Sequence, residues 1–456
     1  MKSLRECFPL VYSIAEKIAH HEGRAFLVGG AVRDYLLGLP VKDIDIEVHD
    51  IFPEQLETIL REYGPVSTVG KSFGVLRLHG VDADWSLPRT DSAGRKPVVC
   101  IDPCMSVADA ARRRDLTMNA MAIDMMTNKL IDPFDGQADM QNKILRTPDE
   151  QLFVQDPLRF FRVMQFVGRF EMFPDEALNR VCGAIDIAHI SRERIEEEFR
   201  KLLLYSQMPS LGIRWLQSIG RLRDVLPELA DTVGVSQNPV WHPEGDVFEH
   251  SMQALDAAAI IAKSYESECK RLVLLYAALC HDLGKVTTTR EVNGVIKSIG
   301  HEVASKKLAL LMMRRITHNS DVVSAVASLV LNHMAPLQFV TNKAKLPAYK
   351  RLANKLSPLI SMSFLADLCR ADKQGRNGAG QYPLSGDNAD VIAFIASAQK
   401  AGVLEHPEQA VLTGADLLGI ITPGPQMGRL LERAYEIQIN QGILDKQVLL
   451  SRIGVK

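Results

Sequence analysis

Two adjacent glycines, Gly29 and Gly30, separate a short apolar run that follows Arg24 from a helical pattern that ends near Gly38. Glycine adopts backbone conformations that other residues avoid, so the pair predicts a tight turn between a strand and a helix. Residues 42–48 then alternate polar and apolar side chains, which predicts another strand. Further elements are predicted at residues 1–22, as an amphipathic helix, and at residues 66–69, 75–78 and 98–101, as strands.

The pattern changes along the chain from mixed α/β, up to about residue 136, to almost entirely helical from about residue 150. The predicted fold class is therefore an α/β head, with a mixed sheet and helices, followed by an all-α remainder. A length of 456 residues suggests about three domains. Apolar residues make up 46% of the chain and charged residues 24%, which excludes a mainly disordered or fibrous protein.

The cysteines and apolar runs favour a cytoplasmic protein. Seven scattered cysteines, with no CxxC pair, predict reduced thiols rather than a thiolate zinc site. The apolar runs fall far short of the roughly 20 residues that a membrane helix needs, so no membrane association is expected.

Net charge by itself argues against a nucleic-acid partner, because 53 basic and 55 acidic residues give a formal charge of −2. The charge is uneven, however, and residues 340–456 hold 14 basic and 10 acidic residues. This part includes a basic stretch without acids: Lys343, Lys345, Lys350, Arg351 and Lys355. The stretch is interpreted either as a solvated helix face or as a phosphate-contacting patch.

Asp43 and Asp45 are two apart on a predicted strand, so their side chains share one face. Neighbouring carboxylates repel unless cations lie between them, and two Mg²⁺ ions about 3.5–4 Å apart would serve nucleotidyl transfer. Asp84 is the candidate third carboxylate. Alone, each motif is more often a solvated strand or a plain turn. The order Gly-Gly, Arg-Asp, Asp-x-Asp is what makes the pattern specific.

This order resembles the class II tRNA nucleotidyltransferase and bacterial poly(A) polymerase superfamily. The resemblance covers about residues 20–230. It rests on the following motifs: residues 27–34 (LVGGAVRD), 43–45 (DID), 113–122 (RRDLTMNAMA), 132–136 (DPFDG), 156–162 (DPLRFFR) and 191–199 (SRERIEEEF).

The resemblance implies a role for each matched residue. Asp43, Asp45 and Asp84 would be catalytic, with Mg²⁺ held by Asp43 and Asp45. The implied nucleotide-binding residues are Gly29, Gly30, Arg33 and Asp34 for the triphosphate, Arg114, Asp115 and Asn119 for the ribose and nucleotide, and Asp156, Arg159 and Arg162 near the base. The implied substrates are tRNA, CTP and ATP.

The base-reading role of Asp156 and Arg159 has a physical logic. Cytosine and adenine both present an exocyclic amine beside a ring-nitrogen acceptor, which a carboxylate and a guanidinium match, whereas U and G do not. The alternative is that Asp156, which precedes a proline, only caps its helix. Two departures from the family pattern, Gln155 for Glu and Ala110 for Asp, put nucleotide positioning and the switch between C and A in question.

A second constellation begins at residues 280–285 (CHDLGK), where an adjacent histidine and aspartate suit a metal ion. Candidate ligands follow one another along the predicted helices in an order that chance rarely produces: His250, His281, Asp282, His301, His333 and Asp372. This order resembles the HD phosphohydrolase superfamily across residues 236–376. Asp367 competes with Asp372 as the last ligand, and Asp372 is preferred for its Ala-Asp context within residues 370–376 (RADKQGR).

Imidazoles and carboxylates suit Ni²⁺, Co²⁺, Mn²⁺, Fe²⁺ or Zn²⁺, and such a metal supplies hydroxide for attack on a phosphoester. The complete ligand set predicts a working phosphohydrolase for 2′,3′-cyclic or terminal phosphates. Lys285 either neutralises phosphate charge or is an ordinary exposed lysine.

The sequence therefore predicts a nucleotidyltransferase head at 1–137, a helical neck and body at 138–235, an HD phosphohydrolase domain at 236–376 and a helical tail at 377–456. The predicted function is template-independent addition of C and A to tRNA 3′ ends, with a second phosphohydrolase activity. Two alternatives stay open. One is a poly(A) polymerase or a CC- or A-adding enzyme, and the other is a phosphohydrolase whose head only binds nucleotide or RNA. The oligomeric state is left open.

Overall fold

The computed structural model describes residues 4–41, 43–69, 75–91 and 99–455. The chain forms two compact units, Met1–Leu202 with Ser218–Gly220 and Leu203–Gln217 with Arg221–Lys456. The first unit contains the predicted mixed sheet and the second is almost entirely helical, which confirms the predicted fold class. The division into four segments stays a prediction.

The first unit is built on a seven-stranded sheet with the order β3-β4-β5-β2-β1-β8-β9. Within this sheet β2 and β5 run parallel and the other neighbours antiparallel. The strands of this unit are β1 Arg24–Val28, β2 Ile44–His49, β3 Val66–Val69, β4 Val75–Leu78, β5 Ala83–Ser86, β6 Arg89–Asp91, β7 Val99–Ile101, β8 Ala122–Asp124, β9 Leu130–Ile131, β10 Ile144–Leu145 and β11 Phe173–Pro174. Each predicted strand is present, although positions 42 and 98 lie outside the described residues.

Helices cover this sheet and continue beyond it. They are α1 Leu4–Cys7, α2 Pro9–His20, α3 Gly30–Leu36, α4 Pro53–Arg61, α5 Val107–Arg112, α6 Gly136–Gln141, α7 Glu150–Phe153, α8 Leu158–Phe170, α9 Glu176–Ala184 and α10 Arg192–Tyr205, with a 3₁₀ turn at Thr117–Asn119. The prediction of one helix over residues 1–22 is wrong in one respect, because it divides at Phe8. Pro9 has no N–H to donate, so it begins α2 instead of continuing α1.

The second unit is a helical body with one exposed hairpin, β12 Thr289–Val292 and β13 Val295–Ser298. Its helices are α11 Ser210–Ser218, α12 Leu222–Val225, α13 Pro227–Ala230, α14 Val247–Ala262, α15 Glu268–Cys280, α16 Lys285–Thr288, α17 His301–Ile316, α18 Ser320–Asn332, α19 Ala335–Thr341, α20 Leu346–Leu356, α21 Met362–Gln374, α22 Ala389–Lys400, α23 Gly414–Leu417, α24 Pro425–Gln441 and α25 Lys446–Ile453. The centre of this unit is formed by α14, α15, α18 and α21, which pack on one another.

One helical stretch, Ser320–Thr341, is long and apolar enough to cross a membrane, by the measures of length and composition alone. Its most apolar window is 56% buried inside the protein, and a core helix of a soluble protein meets the same measures. The prediction of no membrane association stays a prediction.

Part of the basic stretch predicted as a helix face or phosphate patch binds other side chains of the second unit. Lys350 pairs with Glu408, and Arg351 Nη2 lies 2.7 Å from Glu436 of α24. Lys355 donates to a side-chain amide at the end of α18, over 3.0 Å. These contacts favour an intramolecular role for the three cations, since each already has a partner.

A buried carboxylate in the second unit makes the stability of the chain depend on pH. Asp256 accepts hydrogen bonds from the backbone N–H and the hydroxyl of Ser210, at 3.0 and 2.6 Å. Burial raises its pKa from 3.8 to about 7, against the opposing effects of Ser210 and Arg214, and Glu249 raises it further. The folded state therefore binds a proton more tightly than the unfolded state, and stability falls as pH rises from about 4 to 7.

We expect Asp256→Asn to remove this loss, because asparagine accepts from the Ser210 N–H and donates to its hydroxyl without carrying a charge. The free energy of unfolding of the variant, relative to the native chain, should rise by about 3 kcal/mol between pH 5 and pH 8. Urea unfolding at four pH values measures this difference, and Glu266→Gln, at an exposed position, is the matched control. A difference between Asp256→Asn and the native chain that stays constant across pH would contradict the prediction.

Candidate functional site

The carboxylates predicted to hold Mg²⁺ lie at one end of β2, in the middle of the seven-stranded sheet. Asp45 is aligned with Val28 of β1 on one side and with Asp84 of β5 on the other. Asp43 comes immediately before β2 begins. Because residues two apart on a strand share a face, and aligned residues on neighbouring strands do too, the three carboxylates form one acidic edge.

The glycine turn that follows β1 places a guanidinium against this acidic edge. Gly29 has a φ of +70°, in the left-handed region that favours glycine. A Cβ added there would lie 2.6 Å from Arg114 Nη1 and 3.4 Å from Asp45 Oδ2, and one added at Gly30 would lie 3.3 Å from Arg33 Nη2. Arg114 can therefore lie over the turn only because residue 29 has no side chain.

Glu47 is absent from the residues predicted for this site, yet it belongs to the same face of β2. Its carboxylate lies 3.7 Å from Arg114 Nη2 and 3.1 Å from His49 Nε2. Burial alone would raise the pKa of Glu47, but the hydrogen bond from His49 and the charge of Arg114 lower it. Glu47 thus orients Arg114, and the signal for it was present, because the alternation of Asp43 and Asp45 continues to position 47.

Asp84 faces Asp45 but is already paired within the protein. Arg77 donates to both of its oxygens, at 2.7 and 2.8 Å. Loss of contact with water raises the pKa of Asp45, Arg114 opposes this, and the charges of Asp84 and Asp43 raise it further. Mutual repulsion of this kind is relieved by a bound cation, so the donor set fits a divalent metal ion.

Five of the predicted nucleotide-binding residues form one chain of hydrogen bonds. Arg33 donates to Asp34 and to Asn119, each over 2.8 Å. Asn119 donates to Asp115 over 2.9 Å, and Arg162 Nε lies 2.5 Å from the second oxygen of Asp115. Burial would raise the pKa of Asp115, but Arg162 and Asn119 lower it to about 2. This network joins α3, the 3₁₀ turn and α8, and it engages the buried guanidinium of Arg33 inside the protein.

The structure gives the predicted base-reading pair additional partners. Asp156 accepts from the backbone N–H of Leu158 over 3.2 Å, which is the capping interaction considered as the alternative. Both of its oxygens also lie 3.0 Å from Nη2 of Arg194, which belongs to α10 and was not predicted for the site. Arg159 donates to two backbone carbonyls. Asp156 and Arg159 are both half-buried, and 40% of the Asp156 side chain is exposed.

The motif at residues 132–136 has a structural role. Asp132 accepts from the backbone N–H groups of Gly136 and Gln137, at 2.8 and 2.9 Å, at the beginning of α6. A Cβ at Gly136 would lie 2.2 Å from the carbonyl oxygen of Thr117. The motif therefore holds α6 against the 3₁₀ turn that carries Asn119.

In the second unit, four buried histidines converge in two pairs, His250 with His281 and His301 with His333. The two Nε2 atoms within each pair lie 3.1 Å apart. The Nδ1 atoms lie 2.7–3.1 Å from backbone carbonyl oxygens: His250 from Gly375, His281 from Ala278, His301 from Ser298 and His333 from Val330. Since a carbonyl only accepts, each Nδ1 carries the hydrogen, and each Nε2 directs a lone pair at the centre.

Asp282 lies between the two histidine pairs. Its Oδ2 is 3.2 and 3.5 Å from the Nε2 atoms of the first pair, and its Oδ1 is 3.2 and 3.9 Å from those of the second. Oδ1 is buried and has no hydrogen-bond partner among the described residues. Burial would raise the pKa of Asp282, but His281 and Lys285 hold it well below its usual range. An unpartnered buried carboxylate oxygen between imidazole lone pairs fits bound metal ions.

The position of Asp372 matches the preferred choice of last ligand. Its Oδ1 lies 3.1 Å from His250 Nε2, so it completes the set around the first histidine pair. Asp367, one turn earlier on α21, instead accepts from Tyr265 and pairs with Arg370. The two aspartates thus have different surroundings, and only Asp372 faces the other candidate ligands.

Polar groups surround these ligands. Lys285 Nζ lies 2.7 Å from Asp282 Oδ2, and the side chain is buried, so the interpretation of Lys285 as an ordinary exposed lysine is wrong. Glu244 lies 2.7 Å from His250 Nδ1 and 2.9 Å from His242 Nδ1. Burial lowers the pKa of His242 to about 4, despite the hydrogen bond with Glu244. His242 and Glu244 are not among the residues predicted for this centre from the sequence.

Two glycines allow the ligand-bearing helices to approach one another. A Cβ at Gly284 would lie 2.3 Å from the carbonyl oxygen of His301, and one at Gly375 would lie 2.6 Å from the backbone nitrogen of Ala254. Larger residues at these positions would displace α17 and α21. The glycine in the His-Asp-Leu-Gly-Lys motif is therefore a packing requirement of the centre.

Comparison with known proteins finds a matching family in each part of the chain that carries a candidate site. Residues 25–146 match the family described as the Poly A polymerase head domain, and residues 247–361 match the HD domain family. The Multifunctional CCA protein of Methylobacillus flagellatus is 36% identical over 374 residues, which cover 79% of this chain and 86% of the relative. The protein of the same name from Pasteurella multocida is 30% identical, with 79% and 86% covered.

Solved structures share the fold over nearly the whole chain. The CCA-adding enzyme of Bacillus stearothermophilus, solved with CTP, aligns with a TM-score of 0.64 at 20% identity, over 99% of this chain and 98% of the other. The CCA-adding enzyme of Thermotoga maritima, solved with tRNA, aligns with a TM-score of 0.59 at 18% identity, over 98% and 95%. At this level of identity the likeness concerns the fold.

Proposed function

The chain belongs to the family of multifunctional CCA proteins, and from this membership we propose that it adds C and A to tRNA 3′ ends in its first unit and hydrolyses phosphoesters in its second. The single observation that supports the transferase most directly is the alignment of Asp45 with Asp84 beside the Gly29 turn. CTP and ATP would be the substrates. The tRNA would be held by shape and by local basic patches, so binding would weaken as salt increases.

In this proposal Asp43 and Asp45, with Asp84 beside them, would hold Mg²⁺. Bound Mg²⁺ would favour attack by the tRNA 3′-hydroxyl on the α-phosphate and would stabilise the departing pyrophosphate. The backbone at Gly29 and Gly30 would approach the triphosphate, with Arg114 beside it. The buried network of Arg33, Asn119 and Asp115 would hold the glycine turn and Arg114 in fixed relative positions.

Nucleotide selection would rest on residues at the beginning of α8. Asp156 would accept a hydrogen bond from the exocyclic amine of C or A, and Arg159 would donate to the adjacent ring nitrogen. Arg194 would orient the Asp156 carboxylate, which it already contacts through both oxygens. One site would then serve both nucleotides without a template.

The second site would be a metal-dependent phosphohydrolase for 2′,3′-cyclic or terminal phosphates. His250, His281, Asp282 and Asp372 would bind one ion, and Asp282, His301 and His333 would bind another, with Asp282 shared. Ni²⁺, Co²⁺, Mn²⁺, Fe²⁺ and Zn²⁺ suit these ligands. A bound metal ion would supply hydroxide at neutral pH, and Lys285 would offset the charge of the phosphate.

Incorporation on three tRNA ends, with no C, one C and two C, tests the transferase. With Mg²⁺ and CTP alone, we expect C to be added up to the second position and no further. With ATP alone, only the end with two C should gain A, and with both nucleotides every end should finish as CCA. Pyrophosphate release is measured alongside.

The other readings of the chain predict different products. Repeated addition of A to any end would indicate a poly(A) polymerase. Addition of C alone or of A alone would indicate a partial enzyme. No incorporation and no pyrophosphate, from a folded protein with Mg²⁺, would refute the transferase and favour a head that only binds nucleotide or RNA.

A further inference from the structure

Two large aromatic side chains of the second unit are exposed on segments that contact the histidine and aspartate centre. Trp241 is 63% exposed and Tyr382 is 67% exposed. Neither ring is used by the hydrophobic core, and neither belongs to the candidate ligands. Exposed aromatic rings on segments that contact a site for phosphoesters suit an RNA ligand, because rings of this kind stack on nucleic-acid bases.

Each ring is carried by a segment that also supports the centre. Trp241 directly precedes His242, which contacts Glu244, and Glu244 lies 2.7 Å from His250. The carbonyl of Gly375, at the start of the segment that carries Tyr382, accepts a hydrogen bond from His250. The two rings therefore stand on the two segments that hold His250 in place.

The two segments also pack directly against one another. A Cβ added at Gly378 would lie only 2.8 Å from Pro243 Cβ and 3.1 Å from its carbonyl oxygen. Gln253 of α14 holds the segment that carries Tyr382 in place. Its side chain donates to the carbonyls of Asn377 and Gly380 and accepts a hydrogen bond from the Asn377 N–H. Asn377 in turn donates to the carbonyl of Tyr382, over 2.8 Å. The two segments that carry Trp241 and Tyr382 therefore support one another beside His250.

We propose that this aromatic rim, Trp241 with Tyr382, binds an unpaired base of an RNA strand whose terminal phosphate lies at the metal-binding centre. The inference rests on the proposed phosphohydrolase for the identity of that phosphate. It narrows the substrate class to single-stranded RNA ends, in preference to small phosphoesters without a base. The charges agree with this occupant, because Lys285 and Arg376 lie beside Asp282 and Asp372 and complement a phosphate.

Tryptophan fluorescence tests binding without requiring hydrolysis. The chain has three tryptophans, and Trp85 and Trp215 are buried whereas Trp241 is exposed. A single-stranded oligoribonucleotide with a 3′ phosphate, added to the full chain, should quench the emission of Trp241. The Trp241→Phe variant should lose most of this quenching. Quenching that persists unchanged in Trp241→Phe would overturn the inference.

Kinetics with two probes separate the rim from the metal chemistry. For an oligoribonucleotide ending in a 2′,3′-cyclic phosphate, Trp241→Ala and Tyr382→Ala should each raise KM about tenfold and change kcat little. For glycerol 1,2-cyclic phosphate, which has no base, neither variant should change kcat/KM. Trp241→Phe should restore most of the KM, because phenylalanine also stacks.

Leu444→Ala, at another exposed apolar residue of the second unit, is the matched control and should leave both probes unaffected. An unchanged KM for RNA in Trp241→Ala and Tyr382→Ala overturns the inference while leaving the phosphohydrolase intact. If the native chain with added Ni²⁺, Co²⁺ or Mn²⁺ hydrolyses neither probe, the proposed phosphohydrolase activity is refuted. The fluorescence experiment alone then tests whether the aromatic rim binds RNA.

Discussion

Asp282→Asn should abolish the phosphohydrolase activity and leave the incorporation of C and A intact. Among the residues that the structure describes, Asp282 is the one carboxylate that faces both histidine pairs, with Oδ2 3.2 Å from His281 Nε2 and Oδ1 3.2 Å from His301 Nε2. Asparagine has nearly the same size, but it replaces one oxygen by an NH₂ group without a lone pair and removes the negative charge. We therefore expect activity to fall by about 10³-fold or more, since hydroxide formation depends on the bound metal.

Metal content per chain, measured on the same preparations, reports the loss independently of turnover. His281→Ala should resemble Asp282→Asn in activity but should retain the second histidine pair. Asp367→Asn is the matched control, because Asp367 lies on α21 close to Asp372 in sequence but is paired with Tyr265 and Arg370. Full hydrolysis and unchanged metal content in a folded Asp282→Asn protein would contradict the assignment of this centre.

The converse result is expected for Asp45→Asn, or for Asp45→Ala, in the first unit. Asp45 is flanked by the Gly29 turn on one side and by Asp84 on the other, so it occupies the centre of the acidic edge. Removing its charge should weaken Mg²⁺ binding and lower the rate of C and A incorporation by about 10³-fold or more. Hydrolysis of a 2′,3′-cyclic phosphate should continue at the native rate.

Asp50→Asn is the matched control for this variant. Asp50 lies just past the other end of β2, where it pairs with Arg24 over 2.7 Å, away from the acidic edge. Incorporation is measured with CTP on the tRNA end that lacks all three nucleotides. Loss of both activities in a folded Asp45→Asn protein would refute two independent sites, and native incorporation would remove Asp45 from the catalytic residues.

Much of this arrangement was accessible from the sequence. The glycine turn, the strand with Asp43 and Asp45, and the change from a mixed sheet to helices follow from local periodicity, which depends on neighbouring residues only. Glu47 could have been found by the same reasoning, because it continues the alternation along β2. The six candidate HD ligands were predicted from residue type and order. Residue type and order can be read from the sequence alone, because they do not depend on how the helices pack.

Pairings between distant residues could not be predicted in this way. Asp156 meets Arg194, 38 positions later, because the helices pack together. Asp84 meets Arg77 because strand register aligns them on neighbouring strands. Three cations of the basic stretch proved to have partners within the protein for the same reason. Charge patterns state which side chains are available for pairing, whereas the backbone path selects the pairs that form.

By itself, the sequence determined the two kinds of chemistry that this chain can support, because these depend on which carboxylates, imidazoles and glycines occur in which order. Only the tertiary structure decided which of these side chains lie together in each candidate metal-binding set. It gave the four imidazoles one tautomer by placing a carbonyl at each Nδ1, and it directed the two oxygens of Asp282 toward different histidine pairs. The physical reason is direction: a sequence specifies donor atoms, and packing alone decides where their lone pairs point.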